Sequence, residues 1–151
     1  MAHTNRGRVI LGGLAAGVVI NIVEYITNGL ALKSAWAQVL QGLGKSAQLS
    51  AGTIVLFNIG GFLTGIAAVW LYAAIRSRYG AGPNTAIRAA VAAWFLMVFL
   101  PNVGNYAVGM FPTRLIVITS LISLVDIVVG TLVGAWLYKE EAAPMARIAA
   151  A

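Results

Sequence analysis

Four long apolar stretches constrain this sequence more than any other feature. They run over about 9–32, 52–75, 88–110 and 113–138. Each is as long as the roughly 20 mostly apolar residues that an α-helix needs to cross a bilayer. Within 151 residues they leave no room for a separate soluble domain. Only 9% of the residues are charged, against about a quarter in ordinary soluble domains. No stretch alternates apolar and polar residues as a lipid-facing barrel strand does. The expectation is an all-α chain: one integral-membrane domain over residues 1–151, folded as a four-helix transmembrane bundle.

Arg6 and Arg8 precede the first stretch, as basic residues precede a secretory signal. That stretch is too long for a signal's apolar core and carries Asn21, Glu24 and Asn28, so it reads as a span. The net charge is +6, from 10 Lys and Arg against 4 Asp and Glu. These cations stand singly at the ends of apolar runs, which is the pattern of membrane flanks and not of a phosphate-binding stripe. No nucleic-acid partner is expected; the lipid bilayer is. Arg6, Arg8, Arg76, Arg78, Arg88, Lys139 and Arg147 fall on one side, and Lys33, Lys45 and Arg114 on the other. The richer side is expected to be cytoplasmic, with both termini on it. There are no cysteines, which excludes disulfides, thiolate metal sites and Cys-linked haem or lipid.

The connections carry their own signals. Over about 33–45, Trp36, Val39, Leu40 and Leu43 recur at helical spacing among Lys33, Gln38, Gln41 and Lys45. That predicts an amphipathic helix lying on the outer surface. Phe111-Pro112-Thr113 makes a tight outward turn, with Pro112 suited to the first turn of the fourth span. Gly80-Ala81-Gly82-Pro83-Asn84 is turn chemistry, with Asn84 or Thr85 as the expected N-cap of the third span. The Ala-rich tail from Glu140, with Pro144, is expected to fray, and lone His3 to be inert.

An internal repeat is visible. Asn21-Ile-Val-Glu24-Tyr25 in the first span matches Asn102-Val-Gly-Asn105-Tyr106 in the third. Trp70-Leu71-Tyr72 ends the second span as Trp136-Leu137-Tyr138 ends the fourth. The pattern fits two tandem parallel hairpins related by an axis along the membrane normal. Terminal Trp and Tyr are also general interface anchors.

The chain resembles a family of small bacterial four-helix membrane proteins of uncharacterised function. The resemblance rests on Arg8-Val-Ile-Leu-Gly-Gly-Leu-Ala-Ala-Gly17, on Asn21, Glu24 and Asn28-Gly29, and on the Trp36 loop. It continues through Gly65-Ile-Ala-Ala-Val-Trp-Leu-Tyr72, Gly80-Ala-Gly-Pro83 and Gly134-Ala-Trp-Leu-Tyr138. It implies a multi-pass protein of the bacterial inner membrane and brings no activity.

Each span has one small or polar face. Gly13, Gly17, Asn21, Glu24 and Asn28 follow at steps of three and four in the first. The second offers Asn58, Gly61, Gly65, Ala68 and Tyr72; the fourth offers Thr119, Ser123, Asp126, Gly130 and Gly134. The third offers Asn102, Asn105, Tyr106 and Gly109, just after Pro101. Turned inward, Gly13, Gly17, Gly61, Gly65, Gly130 and Gly134 would let helices approach closely. The polar groups of Asn21, Tyr25, Asn28, Asn58, Asn102, Asn105 and Tyr106 would join Glu24 and Asp126. They would form a layer about 10–15 Å deep, a polar pocket open to the outside. Pro101 would kink its helix and leave a backbone oxygen facing that pocket.

Glu24 and Asp126 are the two carboxyls inside the spans, with no Lys, Arg or His at their depth. An unpaired buried carboxylate is costly. It is relieved by protonation, by a bound cation, or by hydrogen bonds from nearby Asn, Tyr, Ser and Thr. Arg114 could also reach down to Glu24, though not to Asp126. The bland reading of these polar groups is interhelical hydrogen bonding, and that of the glycines is packing. No His cluster, GxSxG, phosphate loop or Cys–His pair is present, so neither an enzyme nor a metal or organic cofactor is expected. Two functions remain. One is a small transporter-like protein handling a proton, cation or small polar solute. The other is a non-catalytic membrane subunit packing in a larger or homo-oligomeric complex; the small interior makes a homo-oligomer expected for the first as well.

Overall fold

A computed structural model describes residues 4–139. His3, Arg147 and the tail from Glu140 lie outside them. Six α-helices follow in order: α1 (Arg6–Glu24), α2 (Lys33–Gly42), α3 (Ala51–Tyr79), α4 (Pro83–Trp94), α5 (Leu100–Ala107) and α6 (Thr113–Leu137). A π-helical segment, Tyr25–Ala31, prolongs α1, and another, Phe95–Phe99, joins α4 to α5. Four continuous helices are thereby long and apolar enough to cross a membrane: Arg6–Ala31, Ala51–Tyr79, Pro83–Ala107 and Thr113–Leu137. The shortest has 25 residues, or about 38 Å at 1.5 Å each, more than the roughly 30 Å hydrocarbon core.

The helix ends explain where the expected boundaries shift. Asn5 Oδ1 accepts the Arg8 N–H at 3.0 Å and starts α1. Ser50 Oγ accepts the Thr53 N–H at 3.2 Å and starts α3. α3 runs past Ile75 to Tyr79, because its last turn carries Arg76 and Arg78. Those cations suit a helix C-terminus and leave the apolar run without leaving the helix. Gly80, at φ +83°, then reverses the chain in a conformation that L side chains rarely adopt. α4 begins at Pro83 with Gly82 as its N-cap. The expected caps Asn84 and Thr85 are already inside the helix, and the Thr85 hydroxyl donates to the Tyr79 carbonyl at 3.3 Å. Pro112 sits one residue earlier than expected, as the N-cap of α6.

α1 packs on α3 and α6, and α4 packs on the same two helices from the opposite side. α3 and α6 also touch across the centre. This is a four-helix bundle, and its neighbour pattern maps onto itself when the two hairpins are exchanged. One end of the bundle shows the exchange in detail. Tyr72 and Tyr138, both buried, meet edge to face with centroids 6.0 Å apart. Tyr72 Oη accepts the N–H of Gly82, the N-cap of α4, at 3.4 Å. Tyr138 Oη accepts the N–H of Asn5, the N-cap of α1, at 3.3 Å. Arg76 lies over both rings, 6.0 and 5.4 Å from their centroids.

Close approach rests on glycine. A Cβ on Gly65 would lie 2.5 Å from Gly13 O and Gly17 N, so α1 and α3 meet backbone to backbone. A Cβ on Gly12 would lie 2.5 Å from Gly134 O, and one on Gly130 would lie 2.9 Å from Ala16 O. The small face of α1 is thus two columns. Gly13, Gly17 and Asn21 face α3. Gly12, Ala16 and Ile20 face α6, and steps of four continue that column to Glu24 and Asn28. The step of three from Asn21 to Glu24 crosses from one column to the other.

Candidate functional site

The second column of α1 ends at a carboxyl, Glu24. Glu24, the last residue of α1, is half-buried against α6. Ser123 Oγ donates to Glu24 Oε1 at 2.9 Å. Asn28 Nδ2, one turn on in the π-helical segment, donates to Glu24 Oε2. Asn28 Oδ1 in turn accepts the indole N–H of Trp36 at 2.8 Å. Trp36 belongs to α2, which contributes no buried residue of its own, and its ring meets Phe111 edge to face at 5.6 Å. α2 is therefore tied to Glu24 by two hydrogen bonds in series.

Asp126 lies beside Glu24 on α6. It is 1% exposed, and neither of its oxygens has a hydrogen-bond partner among the described residues. The helix geometry forces this placement. α6 meets α1 at Gly134 and Gly130, and one further turn of the same face is Asp126. Three-fold convergence of His, Cys, Asp or Glu, as a metal centre needs, does not occur among the described residues.

The other expected site residues separate. Asn21 Nδ2 donates to the Asn58 carbonyl at 3.1 Å, a bond along the α1–α3 seam. Asn58 is exposed and turns its own amide to Ile54 O at 2.9 Å. Asn102 donates to Ser120 Oγ at 2.8 Å, and Asn105 to Asn102 Oδ1 at 3.3 Å. The Trp94 indole N–H reaches Ser120 O at 2.9 Å in the same place. That second cluster lies where α6 meets the α4–α5 span, one turn from Ser123 but on another face. Tyr25 and Tyr106 are 64% and 60% exposed and point away from the core. One convergent layer is thus replaced by three places: the carboxyl pair, the Asn21–Asn58 seam and the Asn102–Ser120 cluster.

Two further expectations change. Pro101 is exposed, in the first turn of α5. The π-helical segment before it, where the Leu100 N–H bonds Phe95 O, absorbs the proline. Phe95, Leu96, Met97 and Phe99 of that segment are exposed. Arg114 lines a cavity under α2 of about 530 Å3 with Gln38, Val39 and Ile118, while Glu24 is served by Asn28 and Ser123. A second cavity, of about 400 Å3, lies beside Asn102, Ser120 and Tyr106. Neither cavity is lined by Glu24 or Asp126.

Sequence reasoning passed over Gly12, Ser120 and the Trp36–Asn28 bond. Gly12 and Glu24 lie on one run of fours, 12-16-20-24-28, which was there to be read. Ser120 carried no such mark. Compared with protein-family profiles, with curated proteins and with solved structures, the chain matches none.

Proposed function

We propose that the chain is a small transporter-like membrane protein whose Glu24–Asp126 pair binds a proton or a small cation. The observation that carries this reading is Asp126, fully buried beside a second carboxyl and without a hydrogen-bond partner among the described residues. Intramembrane acids in such a setting mark ion and proton pathways more often than packing. Two carboxylates side by side in a low-dielectric site do not both stay ionised without a counter-ion. A shared proton or a bound cation would relieve the pair. Its surroundings bear on both: Ser123 brings a hydroxyl oxygen of the kind that hard cations take, and Asn28 donates its amide N–H to Glu24 while its oxygen accepts from Trp36. The charged side chains of α3 and α4 do not compensate it. Arg76 and Arg88 sit over tyrosine rings at the far end of the bundle, and Arg78 is exposed in the same last turn of α3 as Arg76.

The setting we propose is the bacterial inner membrane, both termini cytoplasmic, with the chain working as a homo-oligomer. The test is flux into liposomes reconstituted with the purified protein, followed with a pH-sensitive dye under imposed proton or sodium gradients. Glu24→Gln and Asp126→Asn should each abolish the flux and leave helicity and oligomer size unchanged. Wild-type flux in both variants would overturn the reading.

One observation favours a second reading. Asn28, itself held by Trp36, binds Glu24, and neither carboxyl lines either of the two cavities described above. In that reading the pair is an interhelical contact, and the chain is a non-catalytic subunit of a larger or homo-oligomeric membrane complex. Native mass spectrometry of the protein extracted from its own membrane in mild detergent would then find a stoichiometric larger partner. The carboxyl variants would weaken assembly and change no flux.

A further inference from the structure

The cavity under α2 differs in chemistry from the carboxyl pair. It opens between α2 and the first two turns of α6, and its volume of about 530 Å3 falls in the roughly 300–1,000 Å3 range of small-molecule sites. Its walls are largely apolar, with Leu32, Val39, Leu43, Leu115 and Ile118 among them. Its charged lining residue is Arg114, which is exposed, and no carboxylate lines it. The flanking charges are cations too: Lys33 opens α2 and Lys45 follows it, both exposed. The acids among the described residues, Glu24 and Asp126, face each other inside the bundle. An apolar trough with a cation at its rim and no competing anion is complementary to one kind of molecule, an anionic amphiphile.

We propose that this trough is a binding site for an anionic phospholipid of the leaflet bordering α2. One acyl chain lies along Leu32, Val39, Leu115 and Ile118, and the headgroup phosphate pairs with Arg114. A phospholipid fits better than a soluble anion because the trough is walled on one side by an amphipathic helix and on the other by a span that faces lipid. Leu43 and Met110, which line the trough itself, are 49% and 48% exposed. The acyl chain therefore enters from the bilayer without crossing water. Arginine supplies the planar fork that pairs with a phosphate. The site is separate from the carboxyl pair and stands or falls independently of any ion flux.

The test uses the full chain in nanodiscs of zwitterionic lipid doped with a trace of phosphatidylglycerol carrying a diazirine on one acyl chain. The comparison is phosphatidylcholine with the same photoreactive tail. After illumination, labelled peptides are mapped by mass spectrometry. Phosphatidylglycerol should label residues 32–43 and 115–118 about five-fold more than phosphatidylcholine, the preference that one cation near the surface supplies. Arg114→Gln should bring the two lipids to parity, and Arg114→Lys should keep most of the preference. Val39→Trp, which fills the trough, should remove labelling there by both lipids and spare the lipid-facing Val125 and Val129. Circular dichroism establishes that each variant is folded. Equal labelling of the wild type by the two lipids would overturn the proposal, as would an excess that survives in Arg114→Gln. So would displacement of the phospholipid by free myristate at equal concentration, which would make a single-chain acid the occupant.

Discussion

Gly65→Ala is the substitution on which the packing argument can be tested most sharply. The added Cβ would lie 2.5 Å from Gly13 O and from Gly17 N, and ordinary contact begins at about 3.4 Å. The obstructing atoms are backbone, so no rotamer change relieves them. α1 and α3 must part by about 0.9 Å at this level. A shift of that size would carry the Asn21–Asn58 bond from 3.1 Å to about 4 Å, beyond hydrogen-bond range. Overpacking of this kind costs about 1–3 kcal/mol, and an interhelical bond in a membrane contributes about 0.6 kcal/mol. The expected loss is therefore about 1.5–3.5 kcal/mol. The assay is reversible unfolding in mixed micelles, titrated with SDS and followed by circular dichroism. Gly60→Ala, five residues earlier on the same helix with nothing within 4 Å of its Cβ, is the control. It should be neutral or slightly stabilising, because Ala is the better helix former. Gly65→Ala within about 0.5 kcal/mol of wild type would refute the reasoning, as would an equal loss in Gly60→Ala.

Further expectations follow from the same geometry. Trp36→Phe removes the donor to Asn28 but keeps the ring on Phe111. Because α2 has no buried residue, its amide exchange should speed up by about three- to ten-fold while that of α1 stays put. Asp126→Leu, which replaces the unpartnered acid with an apolar side chain, should stabilise the bundle or leave it unchanged and should end any flux. A loss of several kcal/mol would show that the carboxyl is a structural contact. Thr131→Val should cost less than about 1 kcal/mol in SDS titration, because the buried Thr131 hydroxyl only returns to Ile127 O of its own helix at 2.6 Å. Tyr72→Phe and Tyr138→Phe each delete one long bond to an N-cap N–H. Their costs should agree to within about 0.5 kcal/mol if the two hairpins are equivalent at that end.

The fold was legible because its cause is local. A run of twenty apolar residues is a helix wherever a bilayer is the solvent, and no long-range contact is needed to see it. The helix ends were less legible. Arg76 and Arg78 mark the limit of the apolar run and not of α3, so hydropathy stopped one turn early. The site was legible only in part, because it depends on which face of a helix meets which neighbour. Residues spaced by three or four suggest one stripe, but helices that cross divide such a stripe between two partners. That is why Asn21 meets α3 and Glu24 meets α6. It is also why spacing alone puts Asn58, Tyr25 and Tyr106 inside although they face outward. The π-helical segments left no sequence signal that propensity could detect, apart from Pro101 just after one of them.

The repeat gives the asymmetry of the site a meaning. At the Tyr72–Tyr138 end the two hairpins are nearly interchangeable: each tyrosine holds the N-cap of a span belonging to the other half or the next in line. Toward the other end the matched residues still behave alike for part of the way. Asn21 and Asn102 each reach into the second span of their own hairpin, and Tyr25 and Tyr106 both turn outward. They part at one position, where the first hairpin has Glu24 and the second has Asn105. Asn105 returns to Asn102 within its own helix, whereas Glu24 crosses to Ser123 and Asp126 in the other half. The first hairpin alone then adds α2, whose Trp36 is linked to Glu24 through Asn28. An acid, a second acid facing it and a helix tied to the first are three departures from the repeat in one place. A scaffold needs none of them to pack, since the second hairpin packs with an amide and a three-residue turn. That concentration of departures is the reason to look for the chemistry at Glu24 and Asp126 and not at the Asn102–Ser120 cluster.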